Sequence, residues 1–212
     1  MNPANSAFSP PTFRSRVVPV VALTDAGDAV PLAEALFAGG IDVIEVTLRH
    51  PCALEAIAAI ARALPAMHLG AGTLLQAQDV QRVIDAGAQF ALSPGCTPAL
   101  VEAVIQARLP FIPGVMTPSE VITARAAGFR LQKLFPATLA GGIDMLKALA
   151  AVLPDVQFCP TGGIKAETLP DFLSLPNVAM AGGTWLSPAT LIAAGDWQAI
   201  TLLARQATQS LD

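Results

Sequence analysis

Eight short apolar runs, separated mostly by stretches of helical character, constrain the fold of this chain more than any other feature. The runs lie at residues 17–23, 43–48, 68–71, 90–92, 111–115, 131–135, 156–159 and 178–181. Helical stretches between them include 53–64, 77–86, 99–107, 119–127 and 145–152. Strands alternating with helices of this length predict parallel pairing. Gly39-Gly40, Gly87 and Gly128 each close a helical stretch just before the next run, where a helix C-terminus uses glycine. With no length left for a second domain, residues 17–212 are expected to form one closed (β/α)8 barrel with its chemistry at the C-terminal strand ends. Residues 1–16, with Pro3, Pro10 and Pro11 among small polar residues, read as an arm outside that barrel.

Composition narrows the function. The chain is 53% hydrophobic but only 5% aromatic, so small aliphatic side chains must build the core. A net charge of -4 leaves no basic patch for a phosphate backbone, and nucleic acid is not an expected partner. A small-molecule phosphate can still be held by backbone amides. Cys52, Cys96 and Cys159 are odd in number and lack metal-ligand spacing, which predicts reduced thiols, no disulfide and no metal site. The apolar run after Arg14 and Arg16 is broken by Pro19 and lacks a small-residue cleavage pattern, so it does not read as a signal peptide. No run is long enough to span a bilayer, and a soluble cytoplasmic protein is expected.

The sixth run carries the strongest chemical signal. Arg130-Leu131-Gln132-Lys133-Leu134-Phe135-Pro136-Ala137 puts an ammonium group in the middle of a strand that should be buried. There are three lysines against nine arginines, and Lys147 and Lys165 fall where outer helices are expected to start. A buried lysine without a matched partner shifts toward the neutral amine, a nucleophile for carbonyl carbon. A lysine snorkelling to solvent from an edge strand is the inert alternative.

In the second run, period two places Glu45, Thr47 and Arg49 on one face and Ile44, Val46 and Leu48 on the other. The apolar set should meet the outer helices, which sends the polar set inward. Glu45 could then shuttle protons and Arg49 grip a carboxylate, or Glu45 could form a structural ion pair with Lys133 or Arg49. His50 reads as a loop residue and His68 as structural. The loops Gly70-Ala71-Gly72-Thr73, Ser93-Pro94-Gly95-Cys96 and Pro113-Gly114-Val115-Met116-Thr117-Pro118 carry glycines that allow close ligand approach, although each is also an ordinary turn. Paired glycines in Pro160-Thr161-Gly162-Gly163-Ile164 and Ala181-Gly182-Gly183-Thr184-Trp185 follow the last two strands, where barrels of this kind cradle phosphate.

Taken in order, IEVTLR (44–49), GAGT (70–73), SPG (93–95), PGVMTPSE (113–120), KLFPA (133–137), PTGGI (160–164) and GGTWL (182–186) resemble the 2-keto-3-deoxy-6-phosphogluconate and 4-hydroxy-2-oxoglutarate aldolase family. These are class I aldolases, the former acting in the Entner-Doudoroff route. The resemblance implies Lys133 as the Schiff-base lysine, Glu45 as the acid/base, and Arg49 and Thr73 around the pyruvyl carboxylate. It makes Pro94 and Phe135 pocket walls, and puts Gly162, Gly163, Gly183 and Thr184 where the family holds substrate phosphate. Thr161 stands beside them as a substrate-binding candidate, and Arg16, just before the first strand, is another. The implied reaction needs no metal or cofactor. It cleaves 2-keto-3-deoxy-6-phosphogluconate reversibly to pyruvate and glyceraldehyde 3-phosphate, in a homotrimer. The alternatives are cleavage of 4-hydroxy-2-oxoglutarate or of the galactonate isomer, and, outside enzymes, a phosphate-ligand binding barrel. Thr184 stands where the family commonly has serine, so an extra methyl crowds the phosphate side. His50 stands where threonine is common.

Overall fold

The computed structural model describes residue 10 and residues 12–209, and among these the strands are short, parallel and joined by helices. They are β1 Val17–Val21, β2 Val43–Thr47, β3 His68–Gly72, β4 Phe90–Leu92, β5 Phe111–Ile112, β6 Gly114–Val115, β7 Leu131–Leu134, β8 Gln157–Phe158 and β9 Ala181–Gly183. The helices are α1 Ala29–Ala38, α2 Ala53–Ala63, α3 Ala77–Asp85, α4 Pro98–Ala107, α5 Pro118–Ala126, α6 Gly142–Val152, α7 Leu169–Leu173, α8 Ala189–Ala193 and α9 Trp197–Gln209.

Local sequence explains the elements. Every residue of β1 and β2 is buried, as expected for parallel strands covered on both faces. In α2, Ala53, Ala56, Ile57 and Ile60 fall on one buried stripe at helical spacing. Thr97-Pro98 and Thr117-Pro118 start α4 and α5: each threonine hydroxyl accepts a first-turn N–H and each proline fills the first helical position. Buried aliphatic side chains from both layers form a contiguous core, with Phe90, Phe111, Phe129 and Phe158 as its largest fully buried members. No helix among the described residues is long and apolar enough to cross a membrane.

Two sheets run in the orders β5-β4-β3-β2-β1-β9 and β6-β7-β8. Strands β5 and β6 belong to one extended run that Pro113, which has no N–H to give a ladder, interrupts. Parallel bridges Phe158↔Val178 and Thr161↔Gly182 link the segments around β8 and β9. Side chains of β2 and β7 meet directly although neither strand neighbours the other in a sheet. Such a contact requires the parallel sheet to curl, giving an α/β half-barrel with its polar contacts inside.

The structure corrects several boundaries. The last strand is β9 at Ala181–Gly183, later than the apolar run at 178–181, because the ladder with Val17, Val18 and Pro19 is made by backbone and needs no large side chains. Lys147 lies in the middle of α6, and Lys165 in the turn ahead of α7. Most of the expected arm lies outside the described residues, but residues 12–16 pack against the strand N-termini. Phe13 sits 5.4 Å from the His68 ring and 5.2 Å from the Phe90 ring. Asp42 accepts the N–H groups of Arg14 and Ser15, both at 2.9 Å.

Candidate active site

Strand β7 presents Lys133 and strand β2 presents Glu45 into the same interior. The Lys133 Nζ donates to Glu45 Oε1 at 2.9 Å and to Oε2 at 3.1 Å, with the two residues only 4% and 1% exposed. Lys133 is therefore not a snorkelling edge residue. Nor is it unpartnered: of the two ion pairs open to Glu45 in sequence, the one with Lys133 forms, and the carboxylate uses both oxygens. The pair juxtaposes a potential amine nucleophile with a base placed to take its proton. The Phe135 ring lies 5.7 Å from Nζ, the range of a cation–π contact, and the Phe135–Pro136 peptide is cis. Thr47, on the same face of β2, turns its hydroxyl to the Val21 carbonyl at 2.8 Å and is structural.

Cys159, beside β8, is the other reactive group near this pair. Burial pushes its thiol up to about 11, outweighing the nearby Lys133 charge, so the thiolate needed for nucleophilic attack is scarce at neutral pH. Its Sγ lies 3.8 Å from the Thr161 hydroxyl, which also donates to the Cys159 carbonyl at 3.4 Å. Thr161 thus turns its hydroxyl toward its own strand.

Arg49 and Thr73 come together beyond the C-terminal ends of β2 and β3. They share a cavity of about 360 Å³ with Leu48, His50, Gln76 and Arg82, which neither Lys133 nor Glu45 lines. Arg49 is exposed and has no hydrogen-bond partner among the described residues, so its fork is open to an anion. Thr73 has φ +65°, a left-handed conformation that is an outlier for a β-branched residue. Pro94 is half-buried, and Gly114 lies so close against the Pro94–Gly95 peptide that no side chain fits there. The Ser93 hydroxyl accepts the Gly114 N–H at 3.2 Å and ties the end of β4 to β6.

On the other side of the rim, Gly162 and Gly163 are consecutive left-handed residues with φ +100° and +81°. Neither N–H forms a hydrogen bond of good geometry among the described residues, Gly162 meeting Gly182 only through the Thr161↔Gly182 bridge, so both backbone donors are available to an anion. Thr184 follows β9 and is exposed, while Gly183 is covered by the Trp185 ring. Sequence reasoning missed Thr138. Its N–H and hydroxyl both donate to the Gly162 carbonyl, at 3.2 Å and 3.3 Å, and its side chain fills the space beside Gly163. Its only sequence signal was a position just after the Lys133 run.

Arg16 is a correction. Its guanidinium donates to the carbonyls of Leu173 at 3.0 Å, Val178 at 2.8 Å and Ala179 at 3.1 Å. A residue preceding β1 stands at the N-terminal end of the parallel strands, opposite the rim that carries Arg49 and Thr73. Among the described residues no group of three or more His, Cys, Asp or Glu side chains is arranged to hold a metal.

Comparison with known proteins adds independent findings. The family profile described as "Aldolase: KDPG and KHG aldolase" matches residues 12–203. The KHG/KDPG aldolase of Escherichia coli K12 is 47% identical over 193 residues, covering 91% of each chain. A crystal structure of KDPG aldolase from Legionella pneumophila, with pyruvate captured as a covalent carbinolamine intermediate, superposes with a TM-score of 0.91 at 43% identity over 98% of both chains. The Zymomonas mobilis 2-keto-3-deoxy-6-phosphogluconate aldolase with 3-phosphoglycerate gives 0.86 at 39% identity, covering 98% of this chain and 96% of the other.

Proposed function

The chain belongs to the KDPG and KHG aldolase family, and on that footing we propose that it is a class I aldolase that cleaves 2-keto-3-deoxy-6-phosphogluconate reversibly to pyruvate and glyceraldehyde 3-phosphate. The buried Lys133–Glu45 pair, 2.9 Å apart, carries this reading. Glu45 takes a proton from the Lys133 ammonium, and the neutral Nζ adds to the C2 carbonyl carbon. Return of protons to the oxygen expels it as water and leaves an iminium. Its positive nitrogen accepts the electron pair of the C3–C4 bond as that bond breaks, while Glu45 takes the C4 hydroxyl proton and the aldehyde departs. The resulting enamine is protonated at C3, and hydrolysis frees pyruvate and the amine. Capture of pyruvate as a carbinolamine in the Legionella relative supports the covalent route.

In the same proposal Arg49 and Thr73 hold the pyruvyl carboxylate, a positioning role. Pro94 and Phe135 wall the pocket. The free N–H groups of Gly162 and Gly163, with Gly183, Thr184 and Thr161 alongside, form the phosphate side. The Zymomonas structure with 3-phosphoglycerate supports a phosphorylated substrate. A second reading, 4-hydroxy-2-oxoglutarate cleavage, is favoured by the double name of the Escherichia coli relative and by the Thr184 methyl on the phosphate side.

We further propose that residues 17–212 close into a (β/α)8 barrel, in a cytoplasmic homotrimer. Supporting closure, β5 and β6 continue one another and the Thr161↔Gly182 bridge leads from the β8 segment to β9, which pairs with β1. Supporting assembly, exposed Ile105 and Ile122 lie on the two helices, α4 and α5, that border an apolar groove.

Pyruvate release from 2-keto-3-deoxy-6-phosphogluconate, its galactonate isomer and 4-hydroxy-2-oxoglutarate tests the function. The highest kcat/KM is expected for the phosphogluconate. A higher value for 4-hydroxy-2-oxoglutarate would favour the second reading, and no release from any substrate would leave a binding protein.

A further inference from the structure

Strand β3 contains two glycines, Gly70 and Gly72, that its backbone does not require. Neither has the left-handed φ that favours glycine, and both are buried. What forbids a side chain is the space each faces. A Cβ at Gly70 would enter the Phe90 ring, 2.9 Å from Cε1. A Cβ at Gly72 would overlap Glu45 Oε1 outright and lie 2.6 Å from Cγ and 2.7 Å from Cδ. The Glu45 carboxylate therefore rests on bare backbone. Oε1, the atom a methyl group would displace, is also the oxygen closer to Lys133 Nζ, at 2.9 Å.

We infer that Gly72 is a positioning residue for the aldol reaction, keeping vacant the space in which the Glu45 carboxylate reaches Lys133. This rests on Glu45 acting as proposed above. The glycine serves the protein's own acid/base, in contrast to the ligand approach that the GAGT run suggested. The opposite wall cannot yield in its place, because it is the main chain of β3, hydrogen-bonded in register with β2 from Val43↔His68 to Thr47↔Gly72. A methyl group at residue 72 must move the carboxylate, and a displacement of about 1 Å in a reacting pair costs on the order of 100-fold in rate.

A size exchange tests this. Glu45→Ala removes Oε1, Cγ and Cδ, the three atoms a Cβ at residue 72 would meet first. With Glu45 retained, Gly72→Ala should lower kcat by about 100-fold with a far smaller change in KM, and slow borohydride trapping of pyruvate on Lys133 in parallel. Introduced together with Glu45→Ala, the same glycine substitution should change the residual kcat by less than about threefold relative to Glu45→Ala alone. Gly70→Ala, a clash on the same strand with a ring, provides the control, and Glu45→Ala should not relieve its effect.

An equal loss from Gly72→Ala with and without Glu45→Ala, or no loss when Glu45 is retained, overturns the inference. If Gly72→Ala alone prevents folding, the double substitution should restore the thermal transition, and failure to restore it overturns the inference as well. Wild-type turnover in both Glu45→Gln and Glu45→Ala would instead remove Glu45 from the mechanism, whatever Gly72 does.

Discussion

Two buried carboxylates on one short stretch of chain, Asp42 just before β2 and Glu45 within it, are held in opposite ways. Burial pushes the Asp42 carboxyl up, but the N–H groups of Arg14 and Ser15 and the Arg14 guanidinium outweigh it and hold the group below the ordinary carboxylate value. Its donors are largely fixed backbone, and what it achieves is to pin the N-terminal segment beneath the strands. Glu45 has one side-chain partner, Lys133, and otherwise rests against the main chain at Gly72. The contrast teaches how this fold separates stability from chemistry. At the N-terminal strand ends, polar groups are satisfied by neighbours that do not leave. Toward the rim, charge is balanced by a partner that can surrender its proton, and Arg49, Gly162 and Gly163 keep donors free.

The largest effect should come from Glu45→Gln, which should lower turnover by about 10²–10⁴-fold, the scale of general acid/base catalysis, while pyruvate still forms some trappable imine. Unchanged turnover would erase the distinction between the two acids. Asp42→Asn should instead leave kcat close to wild type and lower stability by about 1–3 kcal/mol, measured by denaturant unfolding at neutral pH. Because its folded carboxyl lies below the unfolded value of about 3.9, its contribution is fully present above that value and fades as pH falls through the folded one. The stability gap between wild type and Asp42→Asn should therefore narrow in acid; a gap independent of pH would contradict the linkage. The smallest effect is expected for Thr73→Gly. Relief of the left-handed threonine, offset by glycine's unfolded-state entropy, should change stability by no more than about 1 kcal/mol. Loss of its hydroxyl should raise KM, and an unchanged KM would take Thr73 out of the carboxylate site.

Much of the site was legible in sequence because it follows strand periodicity and strand order. Period two aimed Glu45 inward, a lysine in an apolar run marked Lys133, and the paired glycines after the last strands marked the free N–H groups at Gly162-Gly163. What stayed hidden depends on who touches whom. Glycine in a mouth loop has the same letter whether it faces a ligand, the Phe90 ring or the Glu45 carboxylate, so the role of Gly72 needed coordinates. Arg16 is adjacent in sequence to β1, but at the end away from the rim, where carbonyls of Leu173, Val178 and Ala179 take its donors. The apolar run at 178–181 predicted a strand slightly early because hydrophobicity reports burial, whereas the ladder follows backbone register. Sequence left Glu45 open to an ion pair with Lys133 or Arg49, and only the fold, which brings residues 88 apart in the chain together, decides for Lys133.

Borohydride reduction in the presence of pyruvate, followed by peptide mass analysis, tests most directly whether the amine on β7 attacks the keto carbon. The added mass is expected on the peptide containing Lys133, and only there. Modification of Lys147 or Lys165 in its place, or no covalent adduct at all, would contradict the account.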